Sequence, residues 1–541
     1  MTRREAVQAA VCLFLISVVV RTVTASFVVF PIPEDTAYYV SASRALVEGR
    51  GLVSDALWSY QTPPLIFPRP AFEVWLPLPT FLSALPMLVL GTSFRVAQLV
   101  PVIVGSLIPV LAWRIAADVA AEKGLPKGRA RTLAIGTGLT CAVYLPLLLH
   151  STLPDSTMLF AALALGACLL MTRLSAAGEA IRWVDRRLLG LGVLIGLAAL
   201  TRNEAVWIGL AWAVIASTGI RAPRATRVGL IAVPGAIALL IFAPWAIRDW
   251  LVFGNPLPGQ ALANALSVTG FDIFAWQDPP TMSRYLAVGP ARLLEMRVEG
   301  LGHNLFSVLL LPGAPLSLVG LVALPLAVRL RSLRAVMLVG GITFLVTSLA
   351  FPVATTWGTF LHAAGPVHVL LVIAALLGLD RLLAAIGLRR AWTNPVAWLA
   401  PALTVSGALL FSAVLFPSFG GNSRSVEARY SALERQMTAA GTPLATLGPI
   451  VTDFPIWLAA ATGVNSLALP AESPSSVVDL ASTFGARTLI VSSTDHGGWP
   501  GVLAAGGADA ACFEPVDIGT PTDPSDAAAI VDTRVFRIVC P

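Results

Sequence analysis

The segment that decides the fold is Pro31-Ile-Pro-Glu-Asp-Thr-Ala-Tyr-Tyr39, which follows an apolar run over residues 6–30. It places two adjacent carboxylates, Glu34 and Asp35, at the point where the chain would leave a membrane. A carboxylate at such a boundary is costly unless it is paired, protonated or used in chemistry. The pair therefore indicates a membrane protein with a candidate reactive site at the membrane surface.

The composition of the chain agrees with a membrane protein. Of its 541 residues, 56% are hydrophobic and only 12% are charged, whereas soluble proteins contain about 25% charged residues. Long apolar runs recur as far as about residue 418, so the sequence predicts an all-α polytopic membrane protein. The formal net charge of +6 does not indicate nucleic-acid binding, because the arginines cluster in short loops between the apolar runs.

The apolar runs and the arginines together predict the topology. We expect about eleven membrane spans, at 6–30, 96–117, 132–149, 157–172, 188–200, 204–219, 229–250, 304–328, 335–350, 366–386 and 396–417. The apolar segment 76–90 contains three prolines, and if it also crossed, every later basic loop would lie outside. We therefore expect a surface helix at 76–90, a cytoplasmic N-terminus and an extracytoplasmic C-terminus.

The composition changes after about residue 418. Short strand-like runs such as 488–492 and 535–539 alternate with helical segments, which is typical of a small α/β domain. The sequence thus predicts two domains, a transmembrane module over 1–418 and an extracytoplasmic α/β domain over 419–541. Cys512 and Cys540 both lie in the second domain and could form a disulfide if it is extracytoplasmic.

The acidic pair is followed by a segment, 37–51, that has the pattern of an amphipathic helix ending at Gly49 or Gly51. The positive end of this helix would favour the ionised form of the carboxylates. Alternatively, Asp35 simply caps the helix. The predicted topology also gathers the other unusual polar residues, including His150–Ser156, Thr201–Glu204 and Phe351–His362, on the outer side.

These features occur in an order that resembles the GT-C glycosyltransferases. The motifs are the acidic pair with its Tyr- and Ala-rich helix, Leu153-Pro-Asp155, Gly196-Leu-Ala-Ala-Leu-Thr-Arg202, Ala243-Pro-Trp-Ala-Ile-Arg-Asp249 and Gly358-Thr-Phe-Leu-His362. Within that superfamily the chain looks most similar to the protein O-mannosyltransferases and lipid A aminoarabinose transferases. The resemblance covers about residues 1–417.

The resemblance implies an inverting hexosyl- or pentosyltransferase that uses a polyprenyl-phosphate-linked sugar on the outer face of the membrane. The acceptor would be a protein, lipid or glycan, and no other cofactor is expected. Asp35 is the expected base, because the acceptor hydroxyl must lose a proton. Glu34 is expected to be its helper or a ligand in the acceptor site. Arg202, and next Arg248, are the expected ligands of the leaving phosphate.

Four further residues are candidates for an acceptor or sugar pocket: Asp155, Tyr38, Glu73 and His362. Each has a structural alternative, since Asp155 could cap a helix, Tyr38 could anchor at the interface, Glu73 could be solvated and His362 could be a hydrogen-bonded structural histidine. No His/Cys cluster with metal spacing stands in the sequence, so no metal site is predicted and a metal requirement stays open.

Two other functions remain open from the sequence. A transporter or flippase would usually contain a structural repeat with broken helices, and the sequence contains no evident repeat. A non-catalytic scaffold could retain the fold without the chemistry. The abundance of Ala, Gly and Arg over Lys is typical of a GC-rich bacterial genome, so a bacterial plasma membrane is the expected location.

Overall fold

The computed structural model describes residues 2–177, 183–392, 396–492, 496, 498–504 and 509–540. The α-helices in this part of the chain are α1 (Arg3–Ala25), α2 (Glu34–Val47), α3 (Leu78–Leu90), α4 (Phe94–Ala97), α5 (Leu99–Glu122), α6 (Lys127–Val143), α7 (Leu145–His150), α8 (Thr157–Ala177), α9 (Arg186–Ala199), α10 (Ala205–Gly219), α11 (Arg224–Phe253), α12 (Ala261–Leu266), α13 (Met282–Ala287), α14 (Gly289–Gly302), α15 (Leu316–Ala323), α16 (Arg334–Ala350), α17 (Gly365–Arg389), α18 (Leu399–Ala439), α19 (Pro455–Thr462), α20 (Pro474–Phe484), α21 (Gly501–Ala504) and α22 (Pro524–Ala529). The strands are β1 (Val53–Ser54), β2 (Ala56–Leu57), β3 (Arg69–Pro70), β4 (Ile450–Thr452), β5 (Ser466–Ala468), β6 (Thr488–Val491), β7 (Phe513–Pro515) and β8 (Arg534–Ile538).

The chain is an integral membrane protein. In the described residues, seven helical segments are long and apolar enough to cross a membrane: Arg3–Ala25, Phe94–Glu122, Thr157–Ala177, Arg224–Phe253, Arg331–Ala350, Gly365–Arg389 and Leu399–Ala439. The other predicted spans coincide with shorter helices, namely α6 with α7, α9, α10, and a π-helical turn at His303–Leu310 followed by α15. The all-α polytopic class is confirmed, and the direction of each crossing stays a prediction.

Arg21 explains how one of these spans can be broken inside the bundle. The predicted helix over 132–149 is interrupted at Tyr144, between Val143 and Leu145, because Pro146 has no N–H to donate to the Ala142 carbonyl and its ring would clash with that carbonyl. The fully buried Arg21 donates hydrogen bonds to the carbonyl oxygens of Ala142 (3.2 Å) and Cys141 (3.5 Å), and to Ser151 Oγ (2.9 Å). These carbonyls at the end of α6 would otherwise lack a partner.

The predicted surface helix is α3, and it is too short to cross a membrane. Its 13 residues extend about 20 Å, whereas the hydrocarbon core is about 30 Å thick. One side of the helix packs on α2, while Leu85, Leu88 and Val89 are exposed. An apolar face with no protein cover is what a helix lying in the membrane interface presents.

The C-terminal region contains the predicted sheet, but one of its strands comes from the first loop. The six strands lie in the order β2-β5-β4-β6-β8-β7. The first four strands in this order are parallel, and β8 is antiparallel to both of its neighbours, β6 and β7. In the β2–β5 pair, Ala56 aligns with Ser466 and Leu57 with Leu467. The expected boundary at 418 lies within α18, which continues to Ala439. The division into two domains therefore stays a prediction. The first loop contributes strand β2 to the sheet of the C-terminal region.

Cys512 and Cys540 form a disulfide in the structure, 28 residues apart in sequence. The three remaining cysteines, Cys12, Cys141 and Cys168, are free. Because stable disulfides form in oxidising compartments, we expect the denatured, unreduced protein to react with three equivalents of a maleimide and with five after reduction. The Cys512→Ser variant, which frees Cys540, should react with four. Five reactive thiols in the unreduced wild-type protein would contradict both the disulfide and the extracytoplasmic location of this region.

Candidate active site

A cavity of about 700 Å³ lies where the first loop, the ends of several spans and the C-terminal region meet. Four of the residues predicted from sequence line it: Glu34, Asp35, Arg202 and His362. A groove of about 800 Å³ lies beside β8 in the C-terminal region, but the described residues that line it include no acid and no histidine. The first cavity is therefore the candidate active site.

Asp35 is held in this cavity by a chain of hydrogen bonds through His362 and Thr157 to Asp155. It lies in the first turn of α2, and its Oδ2 is 2.8 Å from His362 Nε2. His362 Nδ1 is in turn 2.6 Å from Thr157 Oγ1, and the backbone N–H of Thr157 donates to Asp155 Oδ1 (2.7 Å). Both nitrogens of the His362 ring are thus engaged, which fixes the ring against the Asp35 carboxylate.

The electrostatic surroundings keep Asp35 ionised. Burial alone would raise the pKa of the carboxyl, but His362 and Arg202 outweigh it, so the pKa lies below its ordinary value. Burial likewise opposes the charged form of His362, yet the neighbouring Asp35 raises the pKa of the imidazole above its ordinary value. The Asp35 side chain remains 17% exposed, which leaves one side of the carboxylate open to the cavity.

Arg202 is the cation beside this carboxylate, and it lies in the short loop between α9 and α10. Its Nε and Nη2 donate to the two carboxylate oxygens of Glu204 at 3.0 and 2.9 Å. Its Nη1 donates to Ser156 Oγ at 2.9 Å. A bidentate pair of this kind fixes the plane of the guanidinium group. The largely buried Arg202 is thereby presented to the cavity as a rigid cationic group.

Glu34 connects the site to the C-terminal region. Its Oε1 accepts a hydrogen bond from the backbone N–H of Ile456 (3.1 Å), in the first turn of α19. Burial raises the pKa of Glu34 to about 8, although the backbone N–H groups of Ile456 and Trp457 act in the opposite direction. This shift favours the protonated form of Glu34, whose contact with Ile456 links α19 to the first turn of α2. The role of Glu34 as a helper of Asp35 stays a prediction.

Solved structures match the fold of this protein over nearly the whole chain. The oligosaccharyltransferase of Archaeoglobus fulgidus in the apo form gives a TM-score of 0.57 at 15% identity, over 95% of this chain and 73% of that one. ArnT from Cupriavidus metallidurans bound to undecaprenyl phosphate gives 0.55 at 12% identity, over 98% of each chain. The chain has the GT-C fold. No family model and no curated protein matches the sequence.

A further GT-C structure among the matches contains both a lipid and a peptide. It is the archaeal oligosaccharyltransferase AglB from Archaeoglobus fulgidus in complex with an inhibitory peptide and a dolichol-phosphate. The TM-score is 0.54 at 14% identity, over 90% of this chain and 69% of that one. At such identities the likeness concerns the fold, and the chemistry must be argued from the residues themselves.

Four residues predicted from sequence, Tyr38, Glu73, Arg248 and Asp155, do not line this cavity. The Oη of Tyr38 is enclosed, accepting from the Phe72 N–H (2.6 Å) and lying 3.5 Å from Glu73. Glu73 is fully buried with Arg69, their side-chain atoms 3.2 Å apart, so it is not solvated as one alternative supposed. Arg248 pairs with Asp249 (2.9 Å) and lies over the ring of Trp245.

Asp155 is linked to His362 through Thr157. Its hydrogen bond from the Thr157 N–H also agrees with the alternative that Asp155 caps a helix.

Sequence reasoning missed Tyr39 and the contribution of the C-terminal region. Tyr39 lines the cavity and its hydroxyl interacts with Ser156, because it follows Asp35 by four residues and shares its face of α2. That spacing could have identified it. Phe454 and Trp457, which also line the cavity, carry no local signal that would distinguish them from ordinary core aromatics.

A small group of side chains beside the cavity could hold a metal ion. His150, Asp155 and His362 each offer one ligand atom, and these atoms lie within 4.8 Å of one another. His150 Nδ1 and Asp155 Oδ2 are buried without a hydrogen-bond partner and are 3.9 Å apart, which suits a cation. His362, however, already uses both ring nitrogens, so a cation would have to replace Thr157 or Asp35. The absence of a metal site stays a prediction, and the metal requirement stays open.

Proposed function

We propose that this protein is an inverting membrane glycosyltransferase, which transfers a hexose or pentose from a polyprenyl-phosphate donor to an acceptor hydroxyl on the outer face. The observation that carries the proposal is the Asp35 carboxylate, which contacts His362 and lines a cavity together with Arg202. The lowered pKa of this carboxyl favours the ionised form that a base needs. The GT-C fold adds support, because ArnT has been solved with undecaprenyl phosphate and AglB with a dolichol-phosphate.

The shape of the cavity supports a donor that arrives from the lipid. Val206 on α10 and Trp357 in the turn after α16 line the cavity, and they are 58% and 50% exposed. An exposed tryptophan beside an apolar helix suits the boundary between lipid and water, where tryptophan is enriched in membrane proteins. A polyprenyl chain could therefore remain in the bilayer while its phosphate and sugar reach Arg202 and Asp35.

The charges in the cavity fit a single displacement at the anomeric carbon. Asp35 takes the proton of the acceptor hydroxyl as its oxygen forms the new bond to that carbon. The bond from the anomeric carbon to the phosphate oxygen breaks, and the electron pair leaves with the polyprenyl phosphate. Arg202 stabilises the negative charge of that leaving phosphate, since a fixed guanidinium in a cavity with little water is an effective partner for it.

His362 and Thr157 would serve as positioning residues in this reaction. The Nε2–Oδ2 contact of 2.8 Å directs one oxygen of Asp35 toward the imidazole. The other oxygen is then free to face the acceptor. Since His362 also favours the ionised carboxylate, the base is available at neutral pH.

The proposal is tested with purified full-length protein in lipid nanodiscs. Undecaprenyl-phosphate-linked mannose, arabinose and glucose are supplied in turn, with water or a methyl glycoside as the acceptor. The release of free undecaprenyl phosphate is measured by mass spectrometry. We expect release from at least one donor, and saturable binding of undecaprenyl phosphate that undecaprenol does not compete for. Absence of both release and binding would contradict the proposed function.

A further inference from the structure

Part of the cavity lining lies at one edge of the C-terminal sheet. Strands β2, β5, β4 and β6 are parallel, so their carboxyl ends lie at one edge. Trp58 directly follows β2, and Phe454 comes two residues after β4; both line the cavity. In open sheets of this kind, ligands bind outside the carboxyl ends of the strands where the chain order reverses. Here it reverses at β4, which has β5 on one side and β6 on the other.

Aromatic rings from two distant parts of the chain converge at this edge. Trp58 and Trp75 of the first loop have ring centroids 4.5 Å apart, and Phe454 and Trp457 of the C-terminal region have centroids 4.8 Å apart. All four line the same cavity as Asp35. The pairs are brought together because β2 belongs to the sheet and α19 packs against both β2 and α2.

Two of these rings carry an unused hydrogen-bond donor. Trp58 is only 4% exposed, and neither its Nε1 nor that of Trp457 has a hydrogen-bond partner among the described residues. Buried indole N–H groups usually have an acceptor, and a missing one calls for an explanation. A ligand with a flat apolar face and hydroxyl groups at its rim would satisfy both the rings and the donors.

We propose that this edge is the acceptor site, and that it binds a sugar ring between Trp58 and Trp457 in front of Asp35. The acceptor is then a glycan or a glycolipid, and its ring hydroxyl is the nucleophile. Glu34 contributes as a positioning residue, because its hydrogen bond to the Ile456 N–H holds the first turn of α19 next to Asp35. This inference rests on the proposed function, since it assigns the second substrate of the same reaction.

The experiment measures sugar binding without any donor. Full-length protein in nanodiscs is mixed with a panel of methyl hexopyranosides and methyl pentopyranosides, and saturation transfer from protein to ring protons is recorded. We expect at least one glycoside to bind, and Trp457→Ala to weaken that binding at least tenfold. Trp457→Phe, which keeps a ring face but loses the indole N–H, should weaken it by a smaller factor. Trp250→Ala is the matched control, because Trp250 is 63% exposed on α11 and does not line the cavity.

The outcomes separate this inference from the proposed function. Trp457→Ala that binds the glycoside as the wild type does, or a wild type that binds none of the panel, would overturn the acceptor site while leaving donor release untouched. Sugar binding that depends on Trp457, in a protein that neither binds undecaprenyl phosphate nor releases it, would instead overturn the proposed function. Loss of binding in Trp457→Phe as well as in Trp457→Ala, with unchanged thermal unfolding, would mean that the indole N–H matters more than the ring face.

Discussion

Replacing Asp35 with asparagine should lower sugar transfer by a factor of about 10²–10⁴, the usual contribution of a general base. Asparagine has nearly the same shape as aspartate, but it cannot accept the proton of the acceptor hydroxyl. It also removes the negative charge that raises the pKa of His362. The measurement is the initial rate of transfer from a polyprenyl-phosphate-linked sugar by the purified variant in nanodiscs.

The variant must be shown to fold and to bind its donor. We expect Asp35→Asn to insert in the membrane, to unfold at nearly the wild-type temperature and to bind undecaprenyl phosphate, because Arg202 and its partner Glu204 are unchanged. Asp532→Asn is a matched control, since Asp532 is exposed on the C-terminal region. Transfer by Asp35→Asn at the wild-type rate would remove Asp35 as the base, whatever the rest of the site does.

Much of the membrane fold could be predicted because the bilayer imposes simple rules on the sequence. The apolar runs predicted the helices, and the distribution of arginines predicts that α3 lies on the membrane surface. The end of α18 could not be predicted in the same way. Pro417 and the Gly- and Ser-rich residues after it suggest a loop, but the helix continues because tertiary contacts hold it. Ser423 Oγ accepts from the Phe30 N–H, and a Cβ on Gly420 would come within 2.8 Å of the Phe27 carbonyl oxygen.

The candidate site was predictable only in its charged members. Asp35, Arg202 and His362 are polar residues at the ends of apolar runs, and such residues are unusual enough to be noticed one by one. Their contacts depend on segments that are far apart in sequence, so no local pattern indicates that His362 touches Asp35. The two-residue strand β2 could not be predicted at all, because so short a segment has no periodicity. Its pairing with β5 nevertheless brings Trp58 to the site.

Replacing Arg202 with alanine is expected to lower transfer by a factor of about 10²–10³, which is typical when one fixed donor to a developing negative charge is removed. We expect the variant to bind and use the donor less well, because Arg202 is the cation proposed to bind the donor phosphate. Removal of the guanidinium also leaves the largely buried Glu204 without its bidentate partner. Binding of undecaprenyl phosphate, measured by native mass spectrometry, should weaken in parallel with the rate.

Two further variants separate the role of Arg202 from a general loss of positive charge. Arg202→Lys keeps the charge but loses the planar fork that binds Glu204 and Ser156 together, so it should recover only part of the activity. Arg248→Ala removes the other arginine that the sequence suggested, and it should retain most of the activity because Arg248 pairs with Asp249 outside the cavity lining. The contrary result is that Arg248→Ala abolishes donor binding while Arg202→Ala does not. The donor phosphate would then have to bind near Arg248 on α11. The displacement could then no longer be centred between Arg202 and Asp35.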